Sequence, residues 1–243
     1  VETSRVSAKT TISWRRGYRI VPKFLFGKPS DVVASRFAFL PTGLKFFLSE
    51  LSVKIFSGSN THYGLPEPEH AITGTHPTIN EELLYKVRHG KVFPKGDIER
   101  FDGQKVHFKD GSVEEFDTII ACTGYILEHP FFRKDFLNYS EGDVPLYLKM
   151  LHDKYENLFF VGMFQPLGCI WPAAELQSKI AARAIKGLWN RPKNIAELCQ
   201  REVTHPHLKQ IKTPRHTITV DFHIFMKQLK KHLPKNYVSK SAI

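Results

Sequence analysis

The chain has 243 residues, 42% hydrophobic and 12% aromatic, the composition of a folded globular protein and not of a disordered or fibrous one. Thirty-five Lys and Arg against 24 Asp and Glu leave a formal net charge of +11, a surplus that suits a phosphate-bearing ligand, a nucleic acid or an anionic membrane. The cations are spread along the chain and dense only at Trp14-Arg15-Arg16 and over 227–235, without zinc-finger spacing or an RNA-recognition signature, so nucleic-acid binding is not expected.

Cys122, Cys169 and Cys199 form no C-x-x-C pair, which argues against a disulfide framework and a structural zinc site and for a reducing compartment. Cys122 and Cys169 read as buried small hydrophobes. His62, His70 and His76 share a loop without metal-ligand spacing, so no metal site is expected. No apolar run reaches the roughly 18 residues of a membrane span, and the N-terminus is not a signal peptide. The opening Val1-Glu2-Thr3, without an initiator methionine, is expected of a fragment that starts inside a domain.

Residues Thr10 to Trp14 suit a strand that ends on the turn Arg15-Arg16-Gly17. Two arginines therefore stand at a strand's carboxyl edge, where open α/β sheets bind ligands. From Gly27 to Ser59, Phe37, Leu40, Leu44, Phe47, Leu48, Leu51 and Ile55 recur at three and four residues, which predicts helices with one buried face, interrupted at Pro41. Tyr63 to Pro77 reads as a surface loop, and Asn80 caps a short helix ended by Gly90, before a strand opening at Val92. Two alternating runs flank Asp110-Gly111, the strongest hairpin signal in the chain. The apolar centre of Phe116 to Tyr125 predicts a strand buried on both faces of a parallel sheet, and Leu158 to Gly162 a second one. A turn through Gln165-Pro166-Leu167-Gly168 leads to a helix from about Pro172 to Trp189. The stretch Arg191 to Pro214 is polar, Thr217 to Val220 alternates like a strand, and Asp221 opens an amphipathic helix carrying Phe222, Phe225, Met226, Leu229 and Leu233.

The run I-I-A-C-T-G-Y at 119–125 resembles the A-T-G-Y mark of flavin-containing monooxygenases, with Cys122 where that family has alanine. In the same order, S-W-R-R-G at 13–17 is similar to the family's S-T-R-x-G, N-L-F-F-V-G-M-F-Q-P-L-G at 157–168 to its late strand and flavin-side turn, and E-L-Q-S-K at 175–179 to its E-L-Q-A-R. Together these marks cover most of 10–188.

The resemblance implies an α/β fold: an incomplete pair of FAD/NAD(P)-binding Rossmann-like domains with parallel sheets and a C-terminal helical tail. Residues 1–115 would complete an NADPH-binding domain with a helical insertion, 116–190 would return to an FAD-binding domain, and 191–243 would be a C-terminal extension. It implies an enzyme in which FAD, reduced by NADPH, reacts with dioxygen and oxygenates a soft amine or sulfide through a 4a-hydroperoxyflavin. Arg15 falls on the position that meets the NADPH 2′-phosphate, with Arg16 beside it; Gly162, Gln165 and Leu167 fall on the flavin side; Thr123 and Gly124 fall on the join between the domains. No residue is assigned a chemical step, and no metal is implied. Read without the resemblance, Arg15 and Arg16 serve equally as solvated turn residues, Gly162 and Gln165 as a tight turn and its cap, and Thr123-Gly124 as a strand end.

No G-x-G-x-x-G occurs; the family's two glycine loops would lie ahead of Val1, so this chain alone is expected to bind neither cofactor well and to be inactive. Within the enzyme class the alternative is a Baeyer–Villiger oxygenase of ketones, and outside it a truncated, non-catalytic interaction module with a basic surface. The expected location is cytoplasmic, with the basic 227–235 segment as the means of any peripheral attachment to an intracellular membrane.

Overall fold

The computed structural model describes residues 1–37, 39–69, 77–137, 139, 142–166, 169–208 and 214–235. They fall into two compact units, Val1–Thr123 and Gly124–Ile243.

The first unit runs β1 (Thr11–Ser13), β2 (Ile20–Val21), β3 (Phe24–Leu25), β4 (Lys28–Pro29), α1 (Ser30–Arg36), α2 (Thr42–Phe56), β5 (Thr78–Ile79), α3 (Glu81–Arg88), β6 (Phe93–Lys95), β7 (Ile98–Asp102), β8 (Lys105–Phe108) and β9 (Val113–Glu115). β1 lies parallel to β6 and β2 parallel to β5, pairings that require the long helical connections between them. β7, β8 and β9 form an antiparallel meander. Its second turn is written locally: Gly111 takes φ +83°, and the Asp110 carboxylate accepts hydrogen bonds from the Ser112 N–H at 2.8 Å and the Ser112 hydroxyl at 2.6 Å. Ile20, Leu65, Leu83, Leu84 and Val92 make the core of this unit, with Trp14 and Ile12 packed on it.

Two expectations are corrected here. α1 and α2 form on either side of Pro41 as their spacing predicts, but the apolar face of α2 is not buried: Phe47 is 63% and Ile55 67% exposed. Periodicity reports that a helix has an apolar face and not what covers it, and the unit supplies a buried contact only at Val53 among the described side chains of α2. Residues 116–129 contain no strand, and Ile119, Ile120 and Tyr125 are exposed. An apolar run becomes an interior strand only between partners on both edges, and no described strand pairs with it. Cys122 is consequently exposed, as is Cys169, and only Cys199 is buried.

The second unit runs β10 (Gln165–Pro166), α4 (Trp171–Ile185), α5 (Ile195–Thr204), β11 (Thr219–Val220) and α6 (Phe222–Lys230), with β10 parallel to β11. α4 carries Pro172 in its first turn and ends before Gly187, which takes φ +66°. α6 starts as its sequence dictates, the Asp221 side chain accepting from the Ile224 N–H at 2.9 Å. Leu176 and Ile180 of α4, Ile195 and Cys199 of α5, and Phe225 and Leu229 of α6 close one core, and Leu146, Val144 and Phe160 belong to a second cluster. α5 lies within the polar stretch for which no element is expected, because only Ile195 and Cys199 of its ten residues are buried. The strand expected at 158–162 reduces to one bridge between Leu151 and Phe159, although Phe160 is buried as expected. Among the described residues no helix is long and apolar enough to cross a membrane. The chain is thus a mixed α/β protein with small parallel sheets.

The two helical faces predict opposite responses. Phe225→Ala removes a fully buried ring and should cost about 3–5 kcal/mol by chemical denaturation, whereas Phe47→Ser should change stability by no more than about 0.5 kcal/mol. The pH dependence also has a defined sign. Burial holds the imidazoles of His207 and His232 below their ordinary pKa, so the unfolded chain binds more protons below about pH 6.5. Their contribution to stability is present above that value and is lost as pH falls through it, which thermal unfolding between about pH 7.5 and pH 5.5 measures.

Candidate functional site

In the first unit Arg15 and Arg16 follow directly on β1. The strand end is held at both sides: the Trp14 N–H donates to the Lys95 carbonyl at 3.0 Å, and the Ser13 hydroxyl to the Gly96 carbonyl at 2.7 Å. Gly17 is buried so closely against the backbone of Pro66 and Glu67 that a Cβ would collide with it. Asn60 fixes that approach, its amide donating to the Tyr18 carbonyl at 3.0 Å and the Pro66 carbonyl at 2.9 Å. Trp14, standing where the resembling family has threonine, packs edge-on against Tyr18 with centroids 5.4 Å apart. Neither Gly17's contact with residues 66 and 67 nor the reach of Asn60 across 42 residues to Tyr18 is visible in the sequence.

Arg15 is exposed and forms no ion pair with a carboxylate of a described residue. It acts on Asp97, whose carboxyl is held below its ordinary range first by the hydrogen bond from Lys109, at 2.6 Å, and further by Arg15. Arg16 is half-buried, and its Nε is buried without a hydrogen-bond partner. Two guanidiniums at the carboxyl end of a parallel strand, one solvent-facing and one with an unused donor, fit an anionic group.

Thr123 and Gly124 lie in the exposed segment 116–129, on either side of the boundary between the units. Gly124 takes φ +96° in open space, so glycine serves the backbone there and not a close approach.

In the second unit Gly162 and Gln165 occupy the segment that leads into α4. Gly162 takes φ +81°, and its N–H donates to the Gln177 Oε1 at 2.8 Å. Gln177 is fully buried, and its Nε2 donates to the Leu148 carbonyl at 2.9 Å. Leu148 and Lys149 take consecutive left-handed conformations, φ +55° and +53°, each costing a side-chain-bearing residue about 1–2 kcal/mol. Buried polar groups hold them there. The Leu148 N–H donates to the Glu202 Oε1 at 3.2 Å, the other Glu202 oxygen lies 3.6 Å from the Lys149 ammonium, and that ammonium donates to the Thr217 carbonyl at 3.3 Å. Burial pushes Lys149 below its ordinary pKa, and Glu202 opposes the shift. The relay Gly162–Gln177–Leu148–Glu202–Lys149–Thr217 thus ties the turn before α4 to α5 and the approach to β11.

These residues fit a flavin in part. The Gln165 carboxamide has no hydrogen-bond partner among the described residues and is free to meet a polar ring edge. The Gly162 N–H is committed to Gln177, so Gly162 contributes backbone shape alone. Leu167 lies outside the described residues, as do His70 and His76. Among the described residues no three His, Cys, Asp or Glu side chains are placed to hold a metal ion. The sequence marks contain Gln177 but not its role, because its partners sit 15 and 29 residues away.

A family model for flavin-binding monooxygenase-like proteins matches residues 1–236, and the chain belongs to that family. It is 31% identical over 242 residues to flavin-containing monooxygenase 5 of Cavia porcellus, covering 91% of this chain and 43% of the relative. To flavin-containing monooxygenase 5 of Homo sapiens it is 31% identical over 243 residues, 94% of this chain and 45% of the relative. To dimethylaniline monooxygenase (N-oxide-forming) 2 of Oryctolagus cuniculus it is 32% identical over 203 residues, 79% of this chain and 37% of the relative. The chain spans less than half the length of these curated relatives.

Gln177→Leu keeps the volume and removes both hydrogen bonds, stranding the Gly162 N–H and the Leu148 carbonyl. It should cost about 1–3 kcal/mol and speed exchange of the Gly162 amide proton measured by NMR; an unchanged exchange rate would remove Gln177 from its place in the relay.

Proposed function

We propose that this chain is part of an FAD- and NADPH-dependent monooxygenase that oxygenates soft nitrogen or sulfur nucleophiles. Residues 1–115 complete its NADPH-binding domain, 116–190 return to its FAD-binding domain, both of Rossmann type, and 191–243 are an extension.

The observation that carries the reading is Arg15: an exposed guanidinium without a carboxylate partner, at the carboxyl end of a parallel strand, beside the unused Nε of Arg16. A guanidinium there binds a phosphate through charge-assisted, bidentate hydrogen bonds, and one directed at the 2′-phosphate selects NADPH over NADH. Arg16 supports the same phosphate. On the flavin side Gln165 donates or accepts at the ring's polar edge, Gly162 gives the turn its left-handed backbone, and Leu167 completes it on the resemblance alone. Thr123 and Gly124 form the join between the domains. FAD, when bound, supplies the activation of dioxygen; this chain's residues hold and orient the two cofactors. The choice of a nitrogen or sulfur nucleophile is supported by family membership and by the N-oxide formation stated in one relative's name.

Full-length protein carrying Arg15→Gln tests this. Loss of a charge-assisted contact costs about 1.5–3 kcal/mol, so KM for NADPH should rise about tenfold or more while KM for NADH stays unchanged. Equal effects on both nucleotides would refute the assignment. Product analysis of the unmodified enzyme with a thioether, a tertiary amine and a ketone should give S- and N-oxides. Esters from the ketone alone would instead establish a Baeyer–Villiger oxygenase, and absence of flavin binding would establish an interaction module.

A further inference from the structure

α5 and the C-terminal end of α6 border a cavity of about 370 Å³ in the second unit, within the size range of small-molecule sites. Its charge is unbalanced. Arg201 and Lys231 line it, both exposed, and neither pairs with a carboxylate of a described residue. The one carboxylate in the lining, Glu202, is already bound to the buried Lys149 at 3.6 Å and to the Leu148 N–H at 3.2 Å.

Three imidazoles, His205, His207 and His232, share the lining with these cations. The Tyr147 hydroxyl lies 3.0 Å from the His232 Nε2, and burial raises the tyrosine's pKa and lowers that of His232. Two cations without a carboxylate partner among the described residues, and three imidazoles, around a cavity larger than a single ion are the chemistry of a site for a small molecule with several negative oxygens.

We propose that this cavity binds a small oxyanion carrying at least two negative charges, a phosphate monoester or a polycarboxylate, through Arg201 and Lys231 with His207 and His232 beside them. The proposal is independent of the flavin and nucleotide assignments.

Binding should take up protons. His207 faces Glu202, Lys149, Asp221 and Gln228, and His232 faces Lys231, Tyr147 and Trp189. With Glu202 spent on Lys149, burial prevails and both rings are held below their ordinary pKa. A bound oxyanion adds negative charge beside each and raises it, so affinity should increase as pH falls.

The test is isothermal titration of full-length protein with orthophosphate and with citrate at constant ionic strength. An Arg15→Gln background excludes the nucleotide-phosphate position from the readout. Saturable binding of at least one anion is expected, weakened about tenfold or more by Arg201→Gln combined with Lys231→Gln, since each charge-assisted hydrogen bond contributes on the order of a tenfold factor. Preference for orthophosphate or for citrate, lost in the double variant, supports the site and identifies the headgroup. Both substituted residues are exposed, and an unchanged circular dichroism spectrum verifies that the variant is folded. Measured with sulfate, which keeps both charges over this range, affinity should be about threefold or more higher near pH 6 than near pH 8. Absence of saturable binding for both anions at millimolar concentration, or undiminished binding in the double variant, overturns the proposal; equal affinity at the two pH values removes the imidazoles from it.

Discussion

The buried carboxamide of Gln177 is the contact on which the organisation of the second unit depends. It donates to one loop and accepts from another, joining the Gly162 N–H to the Leu148 carbonyl from the interior of α4. A buried amide is favourable only when its donor and acceptor are both used, so its position dictates that of both loops. The left-handed pair Leu148-Lys149 follows from the same requirement: Glu202 satisfies the Leu148 N–H and the Lys149 ammonium together. A charged network buried this far contributes little net stability compared with apolar packing. Its effect is geometric, because it allows one arrangement of the turn that precedes α4. α5, an appended element by its place in the chain, is through Glu202 a working part of that turn.

Electrostatics in the first unit follow a different logic. Some of its basic side chains have carboxylate partners: Lys9 and Lys95 on Glu114, Lys109 on Asp97, Arg5 on Glu82, Arg19 on Glu50. Exposed pairs contribute little to stability, and other cations of the unit have no carboxylate partner among the described residues. Arg15 and Arg16 belong to that remainder, and the chain places them where the Lys95 and Gly96 carbonyls hold the strand end before them and the Asn60 amide holds Tyr18 after them. The surplus charge of the sequence has, at this point, a defined address.

Legibility in the sequence tracked the distance over which each feature is encoded. The β8–β9 hairpin and the start of α6 are specified within a few residues, by Asp110-Gly111 and by Asp221, and both form as their residues dictate. The core face of α6 is legible for the same reason, since Phe225 and Leu229 repeat at helical spacing and find α4 and α5 to cover them. α2 shows equal periodicity and stays uncovered. Residues 116–125 are apolar enough for an interior strand and lack the two flanking strands that would make one, leaving Ile120 64% exposed. Of the candidate site, the ordered marks propose the positions, while what holds them is not written locally. Asn60 reaches Tyr18 across 42 residues and Gln177 reaches Leu148 across 29, and no local pattern encodes such contacts.

We propose that the turn at Gly162 to Gln165, positioned by Gln177, lies against a flavin. The direct measurement is the FAD dissociation constant of the full-length protein, with and without Gln177→Leu, accompanied by the visible absorption spectrum of the bound flavin. Weaker FAD binding and a displaced flavin absorption band are expected in the variant, with the fold retained. Identical affinity and an identical spectrum, in a variant whose Gly162 amide is shown to be released, would contradict it.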